Sequence, residues 1–106
     1  MQSYLNVSVR GRGRSTVVQV DGELDLASSP QLEHVLEEEW GNGADEIVLD
    51  LAELRFMDMA GLRVLLRATQ RAGERGTELV LANVRGPIRR VLTLTGVNGL
   101  LRIRAG

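Results

Sequence analysis

Two stretches near the N-terminus alternate hydrophobic and polar residues, and a short glycine-containing segment separates them. Residues 4–9 place an apolar side chain at every second position, the period expected of a half-buried strand. Residues 16–21 are rich in β-branched side chains and predict a second strand. Because glycine accepts the backbone of a tight turn, residues 10–14 predict the connection of a β-hairpin.

A loop of small and acidic residues, 22–29, then leads to the first predicted helix. Pro30 suits the first turn of a helix, and Ser29 is the expected N-cap. Apolar residues at helical spacing predict one buried face made of Leu32, Val35, Leu36 and Trp40. The segment 41–43, with two glycines and an asparagine, is expected to end this helix.

Three further strands are predicted downstream, at residues 46–51, 77–83 and 100–104. The stretch 46–51 is almost continuously apolar, which is typical of a parallel strand covered on both faces. The other two stretches are shorter apolar runs bounded by glycine or polar residues.

Amphipathic segments between these strands predict two more helices. One follows Asp58 and carries Arg63 and Arg67 on its polar side, and it leaves through a segment that contains Gly73 and Gly76. The other runs from Pro87 to Gly96. Inward-facing residues are predicted on both helices: Leu62, Leu65, Leu66 and Thr69 on the first, and Ile88, Val91 and Leu92 on the second.

The predicted order of elements is therefore β-β-α-β-α-β-α-β. Strands that alternate with helices connect by right-handed crossovers and form a mainly parallel sheet. The expected fold is a single α/β domain over residues 1–106, with an N-terminal hairpin, a four- to five-stranded sheet and three helices.

Composition and charge exclude several classes of function but do not identify the function. A length of 106 residues provides one core, and a net charge of -1 provides no field that attracts nucleic acid or a membrane surface. No apolar run reaches the roughly 18 residues of a membrane span, and the N-terminus has no apolar segment of a signal peptide. The chain has no cysteine, which excludes disulfides and thiolate metal sites. We expect a cytoplasmic protein that binds no nucleic acid and does not insert into a membrane.

Residues suited to catalysis or metal binding are scarce. His34, the only histidine, lies on the polar side of the first helix and is expected to be solvated. The acidic run 37–39 fans out around that helix, so we expect a solvated acidic face and no metal site, although a partner surface is the alternative. The basic cluster 10–14 lacks interleaved aromatics and is expected to be a charged hairpin tip. No enzyme activity and no cofactor are expected.

Asp58 stands between an apolar stretch and a helix, where its side chain can cap free amide groups. A helix N-terminus carries unpaired N–H groups and partial positive charge, which favour anions. Gly61 in the first turn costs about 1 kcal/mol relative to alanine, which indicates tight packing or close approach of another group to the backbone. Two interpretations remain open here: a site for an anion or partner, and plain capping.

Four blocks of sequence fall in the order and spacing of STAS domains, and the chain most resembles the bacterial anti-sigma factor antagonists. The resemblance covers nearly the whole chain, but the closing C-terminal helix that many members carry is absent before Gly106. The blocks are Gly22-Glu23-Leu24-Asp25, Ile47-Val48-Leu49-Asp50-Leu51, Phe56-Met57-Asp58-x-Ala60-Gly61-Leu62 and Arg89-Arg90-Val91-Leu92-x-Leu94-Thr95-Gly96.

The resemblance implies partner switching. An antagonist binds an anti-sigma factor, often a serine/threonine kinase, and so frees a sigma factor; the kinase then phosphorylates a Ser or Thr just after the aspartate, and binding is lost. A phosphate there adds about -1.5 to -2 charge beside an acidic residue. Asp58, Asp25 and residues 60–62 match family positions, and the neighbouring loop and helix face complete the expected partner-binding set: Asp25, Ser28, Asp58, Met59, Ala60, Gly61, Leu62, Arg63 and Arg67.

The phosphoacceptor position of the family is occupied by Met59, and neither Met59 nor Ala60 carries a hydroxyl. We favour an antagonist that its kinase cannot inactivate. The alternatives are a diverged docking or scaffold subunit of a stressosome-like or transporter-associated complex, and an engineered substitution of the acceptor. Phosphorylation of Ser28 or Ser29 in the adjacent loop is a further, minor alternative. The sequence does not define the oligomeric state.

Overall fold

The computed structural model describes residues 4–104, which form one mixed sheet with helices packed against it. The helices and strands, in chain order, are β1 (Leu5–Arg10), β2 (Ser15–Leu24), α1 (Ser29–Gly41), β3 (Glu46–Asp50), β4 (Leu54–Met57), α2 (Met59–Glu74), β5 (Glu78–Ala82) and α3 (Gly86–Thr95). A short 3-10 turn, Asn98–Leu100, follows α3.

Strand β2 organises the sheet because it pairs with three other strands. It runs antiparallel to β1, which completes the predicted hairpin, and parallel to β3 and β4. Its residues 15–19 pair with β3, whereas its residues 22–24 pair with β4. Strand β5 adds to the far side of β3 in parallel. This arrangement confirms the mainly parallel sheet with an antiparallel N-terminal edge.

The hydrophobic core lies between one face of the sheet and the helices. Alternate residues of β2 point into it, among them Val18, Val20 and Leu24, and all three are fully buried. Leu36 of α1 and Leu65 of α2 pack into the same cluster. Burial of a side chain of this size contributes about 1.5 to 3 kcal/mol, so this layer fixes α1 and α2 against the sheet.

The opposite face of the sheet, called the outer face below, carries the remaining side chains of each strand. Val48 of β3 and Val80 of β5 are buried there, although neither belongs to the main core cluster. Ile47 and Leu49, on either side of Val48, point into that cluster. The apolar run of β3 is therefore buried on both faces, as its composition predicts.

Three elements differ from the sequence prediction. Strand β2 continues to Leu24 because its last residues pair with β4, so the predicted loop 22–29 was wrong for residues 22–24. Strand β4 was not predicted, because its exposed Arg55 and Phe56 break the alternation expected of a strand; it forms because β2 extends beyond the end of β3. The predicted strand 100–104 was wrong in extent. Only one bridge joins Leu81 to Ile103, and the Arg104 N–H donates to the Leu81 carbonyl at 2.8 Å.

Charged segments connect distant elements through ion pairs. The hairpin tip carries Arg12, whose guanidinium donates to both oxygens of Glu39 on α1 at 3.3 and 3.2 Å. Glu39 is buried, so the expectation of a solvated acidic face was wrong for this residue. Glu37 accepts hydrogen bonds from Arg71 of α2 at 2.8 and 3.1 Å. His34 is exposed, as predicted.

Candidate partner-binding site at the start of helix α2

Asp58 caps helix α2 as the sequence predicts. Its backbone is extended, with φ -99° and ψ -172°, and its Oδ1 accepts a hydrogen bond from the Gly61 N–H at 2.9 Å. The Asp58 N–H donates to the Leu24 carbonyl at 3.3 Å, which ties the cap to the end of β2. The carboxylate therefore satisfies one of the free amides of the first turn and fixes where the helix begins.

Gly61 is required by packing. Of the two explanations for a glycine in the first turn, tight packing and close approach of another group, the structure favours the first. A Cβ atom at this position would overlap the carbonyl oxygen of Leu24 and lie 2.9 Å from the Met57 Cγ atom. Real Cβ atoms do not approach a backbone carbonyl so closely. The glycine allows the first turn of α2 to rest directly on the end of β2.

The loop before α1 is closed by its own polar groups. The Ser28 hydroxyl accepts a hydrogen bond from the Asp25 N–H at 3.0 Å and donates to the Glu23 carbonyl at 2.7 Å. The Asp25 Oδ1 accepts from the Ser28 N–H at 3.0 Å. Ser28 is buried, so it shapes the loop and offers no exposed hydroxyl in this conformation.

The predicted N-cap of α1 was wrong by one residue. Ser29 is the first residue of the helix, and its hydroxyl donates to the Asp25 carbonyl. Ser28 occupies the N-cap position, but its side chain makes no capping hydrogen bond because it is engaged within the loop. Since both serines are buried, phosphorylation of either would require the loop to open.

The other predicted site residues divide into a supporting layer and a surface layer. Gly61 and Leu62 are buried and support the first turn of α2 from below. Met59 is 55% exposed. Arg63 and Arg67 are exposed one and two turns further along the helix.

A groove between the starts of α1 and α2 brings predicted and unpredicted residues together. Of the predicted set, it is lined by Ala60, Arg63 and Arg67. Arg67 donates to Glu33 of α1 at 3.0 Å, whereas Arg63 forms no ion pair within residues 4–104. Leu26 also lines the groove and is 77% exposed. Sequence reasoning did not select Leu26, although an isolated leucine in a loop of small and acidic residues was the available signal.

Within residues 4–104, no group of three or more His, Cys, Asp or Glu side chains is arranged to hold a metal ion. None of the helices in this part of the chain is both long enough and apolar enough to cross a membrane. The site therefore consists of a capped helix start, an exposed methionine and leucine, and two arginines.

The match to a family model defines the class of protein. The STAS domain model matches residues 6–105, and the chain therefore belongs to the STAS domain family. Its fold and element order agree with this assignment.

Individual relatives point to one branch of that family. The anti-sigma-B factor antagonist of Staphylococcus aureus is 28% identical over 102 residues, which cover 96% of this chain and 94% of the relative. The crystal structure of an anti-sigma factor antagonist from Mycobacterium paratuberculosis superposes with a TM-score of 0.84 at 26% identity, covering 97% of this chain and 87% of the other.

A third comparison, with SpoIIAA of Bacillus in its phosphorylated form, gives a TM-score of 0.70 at 19% identity. It covers 94% of this chain and 92% of the other, and at this identity it shows a common fold alone. The Staphylococcus aureus relative and the Mycobacterium paratuberculosis protein are both anti-sigma factor antagonists by name.

Proposed function

We propose that this chain is a cytoplasmic anti-sigma factor antagonist that binds a kinase-type anti-sigma factor and so frees a sigma factor. The observation that carries the proposal is the start of α2. There a rigid cap and a close-packed glycine hold Met59 at the surface, in a chain whose relatives are anti-sigma factor antagonists.

The surface beside the cap has the composition of a protein interface. Met59 and Leu26 are large apolar side chains in contact with solvent, and Arg63 adds a charge with no ion pair within residues 4–104. Interfaces are enriched in methionine and arginine relative to the remaining surface. Methionine is flexible and adapts to a partner surface, so Met59 is the expected apolar contact.

We also propose that binding of the anti-sigma factor cannot be abolished by phosphorylation at this surface. Met59 has a thioether in place of a hydroxyl, and Ala60 after it has a methyl group. The hydroxyls of Ser28 and Ser29 are engaged in the loop and buried. We infer that a kinase has no acceptor at this surface, so the antagonist stays competent to bind.

Two matched leucines test the location of the interface. Leu26 lies beside the groove and is 77% exposed, whereas Leu94 on α3 is 78% exposed. Leu26→Lys should weaken binding to a purified kinase-type anti-sigma factor at least tenfold by calorimetry, because a charge replaces an apolar contact. Leu94→Lys should change the affinity less than twofold. Equal losses from both variants would contradict the proposed surface.

Failure of every kinase-type anti-sigma factor of the source genome to bind at micromolar concentration would favour the docking or scaffold alternative. The switch itself is tested by intact-mass spectrometry after incubation with the kinase and Mg-ATP. The unmodified chain should gain no phosphate, whereas Met59→Ser should gain one. A phosphate on the unmodified chain would refute the non-switchable state without affecting the proposed interface.

A further inference from the structure

Two exposed aromatic side chains flank one glutamate on the outer face of the sheet. Glu23 of β2 pairs with Phe56 of β4, and on its other side the Glu23 N–H donates to the Tyr4 carbonyl at 2.8 Å. Directly paired residues in neighbouring strands point to the same face. Since Leu24 and Met57, the next pair along, are buried in the core, Glu23, Phe56 and Tyr4 point to the outer face.

Tyr4 and Phe56 are not part of the hydrophobic core. Tyr4 is 59% and Phe56 is 49% exposed, whereas Trp40, the third aromatic of the chain, is buried. A Cβ atom at Gly22, which has φ +109°, would overlap the Tyr4 carbonyl oxygen and lie 2.8 Å from the Tyr4 Cδ2 atom. The glycine therefore allows both the backbone and the ring of Tyr4 to lie against β2.

The charge between the rings has no counter-ion in the described part of the chain. The Glu23 carboxylate forms no ion pair or hydrogen bond within residues 4–104, and Asp21, the next acidic residue of β2, accepts only from Gln19, at 3.1 Å. Arg55, inserted before Phe56 by the register shift, is exposed and forms neither an ion pair nor a ring contact there. No cation of residues 4–104 fills the space between the rings.

We propose that Tyr4, Glu23 and Phe56 form a binding site for the basic side chain, arginine or lysine, of a protein partner. Neighbouring strands lie about 4.8 Å apart, so the two rings stand on opposite sides of the carboxylate. A cation above Glu23 would gain a charge-assisted hydrogen bond and lie within the roughly 6 Å over which aromatic rings attract it. The chain already uses this attraction elsewhere, since Arg75 lies 5.4 Å from the centre of the Trp40 ring.

A protein side chain fits this site better than a free small cation. Tyr4, Glu23 and Phe56 stand on an open sheet face with each side chain partly exposed, and a small molecule on such a surface would bury little area. A partner protein adds the contact area around its basic side chain. The site is on the outer face, whereas α1 and α2 pack on the core face, so it is a second surface besides the proposed anti-sigma factor site.

The test uses the whole chain labelled with ¹⁵N and a short probe, acetyl-Gly-Arg-Gly-amide. Its control replaces arginine with citrulline, which has the same shape without the charge. The arginine peptide should shift the amide signals of Tyr4, Glu23 and Phe56 most, and the citrulline peptide should shift them at least fivefold less at equal concentration.

Two variants separate the contributions of charge and ring. Glu23→Gln keeps the size of the side chain and removes its charge, and Phe56→Leu keeps an apolar side chain and removes its ring. Each variant should reduce the arginine-induced shifts at least fivefold. Glu74→Gln, which removes an exposed carboxylate at the end of α2, should leave them unchanged. Equal shifts with citrulline, or shifts that survive both site variants, would overturn the proposal. Because the probe contains no anti-sigma factor, neither result bears on the proposed function.

Discussion

Two junctions between a parallel strand and a helix, β4–α2 and β5–α3, are built from different parts. At the first, the Asp58 carboxylate caps the helix and Gly61 rests on the end of β2. At the second, Arg85 occupies the N-cap position without a side-chain hydrogen bond, and the chain turns through residues with positive φ, Asn83 at 57° and Gly86 at 55°. Helix α3 is then held by the burial of Ile88 and Leu92.

The difference shows at which junction the first turn of the helix has a fixed direction that a partner protein could recognise. Packing against a core holds a helix in place, as it does for α3, without defining the direction of its first residues closely. A cap and a backbone contact define that direction, because both act on the first turn itself. Only the α2 junction combines them with an exposed apolar side chain, Met59. We regard this combination as the structural basis of the proposed interface.

The largest expected difference between the junctions comes from adding one methyl group to each glycine. Gly61→Ala should lower the free energy of unfolding by about 3 kcal/mol, because the new Cβ overlaps the Leu24 carbonyl and separates α2 from β2. A Cβ atom at Gly86 would have no neighbour within 4 Å. Gly86→Ala should therefore lower the free energy of unfolding by only about 1 kcal/mol, because alanine is strained in the left-handed backbone conformation. Urea denaturation followed by circular dichroism measures both. If the two values agree within error, the α2 junction is no more tightly packed than the α3 junction.

Local features of these junctions were predictable from sequence, and long-range ones were not. The Asp58 cap follows from side-chain chemistry within four residues, so the sequence indicates it directly. Gly61 signalled a close contact, but its partner, Leu24, lies in a strand far along the chain. Strand β4 escaped prediction for a similar reason: its four residues become a strand only because β2 extends past β3.

Ion pairs between distant segments also could not be predicted from the sequence. Arg12 and Glu39 are 27 residues apart, and no local pattern indicates that the hairpin tip meets the end of α1. The acidic run therefore suggested a solvated face, whereas the fold buries Glu39 beneath an arginine. In the site, the sequence selected Ala60, Arg63 and Arg67, but only the fold places Leu26 beside them.

A smaller difference is expected when the residues at the two N-cap positions are exchanged for alanine. Asp58→Ala should lower the free energy of unfolding by about 1 kcal/mol, since the Gly61 N–H loses its acceptor. Arg85→Ala removes no cap and should change it by less than about 0.5 kcal/mol. Asp58→Asn keeps an acceptor oxygen and should fall between the two. An Asp58→Ala variant as stable as Arg85→Ala would show that the cap contributes nothing to folding.

Replacement of Met59 should leave stability almost unchanged and should weaken binding. Met59→Ala should change the free energy of unfolding by less than about 0.5 kcal/mol, because half of the side chain is already in water and alanine is a good helix former. Leu94→Ala on α3 should be equally mild. Affinity for the anti-sigma factor separates them. Met59→Ala should weaken it about tenfold, the loss typical of an apolar contact at the centre of an interface, and Leu94→Ala should leave it unchanged. A Met59→Ala variant that binds like the unmodified chain would mean that the fixed geometry of the α2 start serves folding and not recognition.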